Sequence, residues 1–305
     1  MQKIKAMIEG FGAEVFENFD LSLISSMRIG ERAKFVVFPK NEKQLEKILC
    51  LFYTKKIVFK IVGNASNILF VKQINFPLVV TSKMNDEIVV KNNFVSVSAG
   101  TLLSRFVEIL RKHNLTGAEG LAGIPATVGG ALFNNAGAFG QSVSDHLIKV
   151  KVFSKGKIFE VFKNEIKFGY HFSNIENFVI LSASFLFETG IECDIINLVN
   201  RFAFLRSKTQ PSGFSLGSVY KKVDDKSAGF YIERCGLKGQ RVGGVVVSNK
   251  HANFFVNDGN ASATDFLRLS LLVQNTVMKS FGIELVCEIE KVGDNNEITC
   301  RFTYT

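Results

Sequence analysis

Two stretches of this chain could hold a phosphate on bare backbone. "VGNASN" (residues 62–67) directly follows the apolar run "IVFKIV", and a tight turn there can aim successive main-chain N–H groups at an anion. Gly63, Asn64 and Ala65 make the turn, and Ser66 and Asn67 add side-chain donors. "GLAGIPATVGGALFNNAGAFG" (residues 120–140) offers the same at greater length. Gly129 and Gly130 permit close backbone approach, and Gly123 and Gly137 flank them in the same stretch. Pro125, after Ile124, stiffens the chain, and Thr127, Asn134 and Asn135 add polar contacts next to Ala136. Neither stretch is GxGxxG or GxxxxGK[ST], so the ordinary Rossmann and P-loop readings fail. Alone, "VGNASN" is an ordinary glycine turn; a stretch holding both "GIP" and "NNAG" is harder to explain that way.

Proton chemistry has two candidates. Glu288, in "LVCEIEKVG", is a charge inside an apolar strand, where carboxylates are uncommon unless paired or functional. Glu290 is on the same face of that strand and is read as structural. Ser218, in "LGSVYKK", is by default a serine satisfying the turn after Gly217. As an acid it would need help from a cation such as Lys221.

These residues need elements to position them. "NEKQLEKILCLFYTKK" (41–56) predicts an amphipathic helix with Leu45, Ile48, Leu49 and Phe52 on one face, closed at its start by Asn41 and Gln44. Residues 57–63, 94–98 and 178–187 read as strands, and 147–162 as a hairpin turning at Lys155-Gly156. Helices are expected over 102–113, from about Asp194 with Ile195, Ile196, Val199, Phe202 and Ala203 inward, and over 264–280 with Gly282 as the stop. Residues 285–293 read as a terminal strand. The class is α+β, divided as 1–80, 81–192 and 193–288, with 289–305 returning to the first part.

Composition bounds the partners. The 305 residues are 47% hydrophobic with a net charge of +9, which fits either a lysine-rich solvated surface or attraction to phosphorylated ligands. The lysines come in pairs (Lys55/Lys56, Lys221/Lys222) without an arginine-rich arm, so nucleic acid is disfavoured. No apolar run approaches membrane-spanning length, and "MQKIKAMIEGFGAEVFENF" is too soon broken by Glu9 and Gly10 for a signal peptide. The five cysteines are scattered with no CxxC pair, against a zinc site or disulfide framework and for a reducing cytoplasm.

In addition, "GIPATVGGALFNNAGAFG" resembles the signature of the UDP-N-acetylenolpyruvoylglucosamine reductase (MurB) family. "MRIGERA" (27–33), "VGNASNILF", "FGYHFS" (168–173), "TQPSGFSLGSVYKK" (209–222), "AGFYIERCGLKGQRVGGVVVSNKHANFFVN" (228–257) and "LVCEIEKVG" resemble its other motifs, in order along the chain. The resemblance implies a two-subdomain FAD-binding domain of the vanillyl-alcohol-oxidase type and a C-terminal α+β substrate-binding domain. It implies non-covalent FAD, since neither loop has the histidine or cysteine by which related oxidases tether flavin. NADPH would give hydride to FAD, and reduced flavin would reduce an enolpyruvyl UDP-sugar, a peptidoglycan precursor; a monomer is expected.

By the same resemblance, Ser218 is the proton donor, Glu288 the catalytic glutamate, and both glycine-rich stretches are FAD loops. Tyr170, Lys221, Lys222, Lys250 and Asn253 are expected on the substrate. His171 departs from the family, which has arginine at this place in FGYRxS. An arginine holds a carboxylate with a fixed fork, whereas histidine offers one strong donor and only partial charge. Ala65 and Ala126 stand where the family has glycine.

Overall fold

The computed structural model describes residues 2–84 and 88–293. Helix α1 (Gln2–Gly10) leads into strands β1 (Glu14–Asp20) and β2 (Arg32–Phe38), followed by helix α2 (Glu42–Thr54). Leu45, Ile48, Leu49 and Phe52 are all buried, as their spacing predicts, and the Asn41 carboxamide accepts from the Gln44 N–H. Gln44 returns its own bond to the N–H of Lys40 rather than to that of Asn41. Strands β3 (Lys60–Val62), β4 (Ile68–Phe70) and β5 (Leu78–Val80) follow. The first sheet runs β1-β2-β5-β3; its β2, β5 and β3 are parallel.

Strands β6 (Val89–Lys91) and β7 (Phe94–Ser98) open a second, antiparallel sheet. Helix α3 (Leu103–Lys112) and the short helix α4 (Val128–Phe133) cover it. Strands β8 (Leu147–Ser154), β9 (Lys157–Phe162) and β10 (Val179–Leu186) complete it in the order β9-β8-β10-β7-β6. The hairpin turns where expected: Lys155 and Gly156 both have positive φ, 48° and 78°, the backbone a two-residue hairpin loop of the mirror type requires. Phe153, Val179 and Leu181 of this sheet join the α2 core, so that helix is shared by both sheets.

Helix α5 (Glu192–Thr209) starts slightly before the expected Asp194. Only Ile195 of its expected inner face is fully buried, while Ala203 is exposed. Ile195 is buried and Val199 packs against the core of the second sheet, whereas further along the helix Ala203 borders a cavity. Strand β11 (Phe214–Ser218), helix α6 (Ala228–Arg234), strands β12 (Arg241–Val242), β13 (Val245–Val247) and β14 (Phe254–Asn257), and helix α7 (Ala263–Phe281) form the C-terminal part, with sheet order β11-β14-β13-β12. Ser262 and Asp265 cap α7 reciprocally, and Gly282 ends it at φ 68°. The terminal strand is shorter than expected. Regular pairing is confined to β15 (Glu290–Val292), parallel to β4, because residues 286–288 bond instead to Val219 and Lys221.

Candidate active site

A cavity of about 1210 Å³ opens between the two sheets and the C-terminal part. The two glycine-rich stretches form one wall and clasp each other. Asn64 Nδ2 donates to the Pro125 carbonyl at 2.8 Å. A Cβ on Gly63 would fall 2.6 Å from Thr127 Oγ1, so glycine is what lets the loops close. Thr127 is 1% exposed, accepts from the Gly130 N–H and caps α4. Gly129 lies against Ala99, where a Cβ would meet the Ala99 Cβ at 2.9 Å. Ala65 adopts φ 46°, a left-handed conformation for which glycine is the ordinary residue. Among the described residues, the main-chain N–H groups of Asn64, Ala65 and Ser66 donate to no protein acceptor.

Gly63 through Asn67, Gly123, Ile124, Pro125, Thr127, Gly129, Gly130, Asn134, Ala136 and Gly137 all line the cavity. Asn135 does not. Its Nδ2 donates to the Gly169 carbonyl, and Ser173 Oγ donates to the Phe133 carbonyl at 2.6 Å. Together they anchor the 168–173 turn on the end of α4. That turn carries His171, at φ 48°.

Three side chains from three different segments gather on the cavity. Ser218 ends β11 at a register shift beside Gly217. Glu288 is placed by its own backbone: its N–H donates to Val219, next to Ser218, and its carbonyl accepts from Asn67 Nδ2 at 3.1 Å. His171 Nδ1 lies 2.9 Å from Glu288 Oε1, with Glu288 only 14% exposed. Serine, carboxylate and imidazole are thus a set able to give and steady a proton. Tyr170 packs its ring edge-on to His171 with centroids 4.3 Å apart. Burial, with the Glu288 charge adding to it, pushes its phenol pKa up. Lys222 Nζ sits 5.3 Å from the Tyr170 ring centroid, so both stand at the rim and neither lines the cavity.

The remaining expected substrate contacts divide. Lys250 lines the cavity and donates to the Ser207 carbonyl at 2.7 Å. Lys221 is exposed outside it. Asn253 is 4% exposed and turned into the protein, where its carboxamide accepts from the Tyr220 N–H and donates to the Tyr220 carbonyl. It holds the strand after Ser218 rather than a ligand.

Sequence reasoning missed Arg206. It lines the cavity from α5, against Gly123, with its guanidinium 5.4 Å from the Phe139 ring centroid. Burial lowers its pKa, and its buried Nε has no hydrogen-bond partner among the described residues. The signal was present: Ile195, Val199, Phe202 and Arg206 continue one helical stripe, with a cation where the pattern calls for an apolar residue.

Backbone donors without acceptors, glycines that a Cβ would wedge apart and an unpartnered guanidinium nitrogen fit a large anionic cofactor such as FAD. Residues 33–161 match the family described as FAD binding domain, and residues 210–292 match the UDP-N-acetylenolpyruvoylglucosamine reductase C-terminal domain. Fold and cavity therefore define an FAD-dependent oxidoreductase. The chain is 35% identical to the UDP-N-acetylenolpyruvoylglucosamine reductase of Caldicellulosiruptor bescii over 94% of its length and 93% of the relative's. It is 34% identical to that of Lactobacillus helveticus, covering 92% of this chain and 96% of the relative. The crystal structure of the Thermus caldophilus reductase superposes with a TM-score of 0.77 at 28% identity, covering 92% of this chain and 98% of that one. The chain belongs to the UDP-N-acetylenolpyruvoylglucosamine reductase family.

Proposed function

We infer that the protein reduces UDP-N-acetylglucosamine enolpyruvate to UDP-N-acetylmuramate with NADPH, in peptidoglycan precursor synthesis. FAD, when bound, would supply the redox chemistry between NADPH and the enolpyruvyl double bond. The main-chain N–H groups of residues 64–66 would hold its phosphates, with the 123–137 stretch lining the same cavity. Ser218 donates the proton to the carbon beside the carboxylate. His171, paired with Glu288, faces the substrate carboxylate and steadies the charge that develops there. Because Glu288 occupies Nδ1, the imidazole's remaining nitrogen is the one left for the substrate. Lys250 and Arg206 add positive charge for the diphosphates. The gathering of Ser218, His171 and Glu288 on one cavity wall carries this reading. We place the enzyme in the cytoplasm as a monomer, using neither nucleic acid nor membrane as partner; no described helix is long and apolar enough to cross a membrane.

One anaerobic experiment tests it. NADPH should bleach the flavin, and UDP-N-acetylglucosamine enolpyruvate should then restore the yellow colour. Bleached flavin that stays bleached in the presence of that compound rejects the assignment.

A further inference from the structure

Lys60 and Glu290 form the most buried ion pair among the described residues, with Nζ and Oε1 2.5 Å apart and side chains 5% and 19% exposed. Both line the cavity, and neither has a part in the chemistry above. Their places in the chain matter. Lys60 precedes the loop glycine Gly63 on β3, and Glu290 follows Glu288 on the terminal strand.

Strand β15 is three residues long and pairs with a β4 of equal length. So short a ladder specifies register weakly, and a one-residue slip sends every side chain to the opposite face. Glu288, Glu290 and Val292 share one parity, and Val292 is fully buried among Val62, Ile68 and Leu78. The bonds from Glu290 N–H to the Asn67 carbonyl and from Asn67 Nδ2 to the Glu288 carbonyl tie the segment to the loop that leads into β4. Bonds from Glu288 N–H to the Val219 carbonyl and from Lys221 N–H to the Val286 carbonyl hold the other flank, and Val292 packs in a core shared with the first sheet. Lys60–Glu290 adds a directional side-chain link to that sheet. Lys60 belongs to that sheet, and its bond to Glu290 spans 230 residues of sequence.

We propose that the Lys60–Glu290 pair is a positioning device for Glu288: it locks the terminal strand to the first sheet in the one register that keeps the Glu288 carboxylate beside His171. The proposal rests on the functional reading above, in which Glu288 serves substrate reduction. Glu288 precedes Glu290 by two residues, at most roughly 7 Å of chain, so a small shift of the pin is felt directly at the carboxylate.

The test uses the FAD-loaded enzyme and the double variant Lys60→Met with Glu290→Met, which removes both charges of the pair together. It should keep its FAD and be bleached by NADPH at the parent rate. Its reoxidation by the enolpyruvyl UDP-sugar should slow by about 10- to 100-fold, the usual consequence of misplacing a group by around 1 Å. Amide hydrogens of residues 287–290 should exchange faster than in the parent. Glu290→Asp, which keeps the charge on a shorter arm, should show a smaller loss of the same kind, and it decides the matter alone if the double variant does not fold. Parent-like reoxidation, unchanged exchange, or equal slowing of both half-reactions would each overturn the proposal. If the parent itself is not reoxidised by this substrate, the functional reading fails while hydrogen exchange still judges the pin.

Discussion

The contact between the glycine-rich loops gives a prediction that can be worked from distances. In Gly63→Ala the new methyl would meet Thr127 Oγ1 at 2.6 Å, well inside contact distance, while the Thr127 Cβ and Cγ2 lie at 3.7 Å and could accept it. The hydroxyl cannot simply rotate away, because Thr127 is 1% exposed and its oxygen accepts from the Gly130 N–H. Overpacking of this kind costs about 1–3 kcal/mol. If the cost falls on the closed clasp that holds FAD, cofactor affinity should weaken roughly 5- to 150-fold. Adding Thr127→Ala removes the clashing oxygen. It also removes a helix N-cap, at about 1 kcal/mol of stability, so the double variant should regain most of the FAD affinity while melting lower than the parent. Recovery of FAD fluorescence on dilution measures the first quantity and a thermal melt the second. Parent-like FAD binding by Gly63→Ala, or an equal affinity loss in the double variant, would refute the reasoning.

Ser218→Ala should still let NADPH bleach the flavin but slow reoxidation by substrate about 10²–10⁴-fold, as expected for loss of a general acid; equal slowing of both half-reactions in stopped flow would make Ser218 a structural residue. His171→Ala should slow reoxidation at every pH, and His171→Arg, charged at every working pH, should remove whatever pH dependence the imidazole contributes. Reoxidation by His171→Ala at the parent rate would leave the histidine a bystander. Glu119 gives a pH signature in stability. Burial pushes its carboxyl pKa up, but hydrogen bonds from Thr116, Gln141 and Gly117 outweigh that and leave it below the ordinary value of 4.5. A depressed carboxylate stabilises the fold at neutral pH and loses that contribution as pH falls through its folded pKa. Glu119→Gln should therefore melt below the parent at pH 7, with the gap closing on acidification, and a gap independent of pH would contradict the assignment.

Local patterns were legible where local physics decides. The buried face of α2, the Lys155-Gly156 hairpin and the Gly282 stop each depend on a few neighbouring residues, and each is found where its spacing puts it. The glycines at 63, 129 and 130 were readable for a related reason: bare backbone is useful only where something must come close. Side-chain direction was not readable. Asn253 and Asn135 lie within family signatures, yet one bonds to Tyr220 and the other to Gly169, partners that only the folded chain brings near. Lys221 and Lys222 follow Ser218 in sequence, but Lys221 N–H bonds to the Val286 carbonyl, in a pairing that leaves Lys221 outside the cavity and Lys222 at its rim. Arg206 escaped notice because a helix stripe that borders a cavity looks in sequence like one that borders a core. Glu290 read as structural because it lies outside the family's motif position, and its lysine partner lies 230 residues away.

The backbone of Glu288 hangs between Val219 on one side and Asn67, 221 residues earlier, on the other. On a ribosome making the chain from its N-terminus, both glycine loops and both sheets they border are finished long before that carboxylate emerges. The cavity itself is walled in part by residues 203–218, Lys250, Glu288 and Glu290, so its last wall is also the last to be made: the vessel and the acid it holds are completed by the same closing stretch of chain.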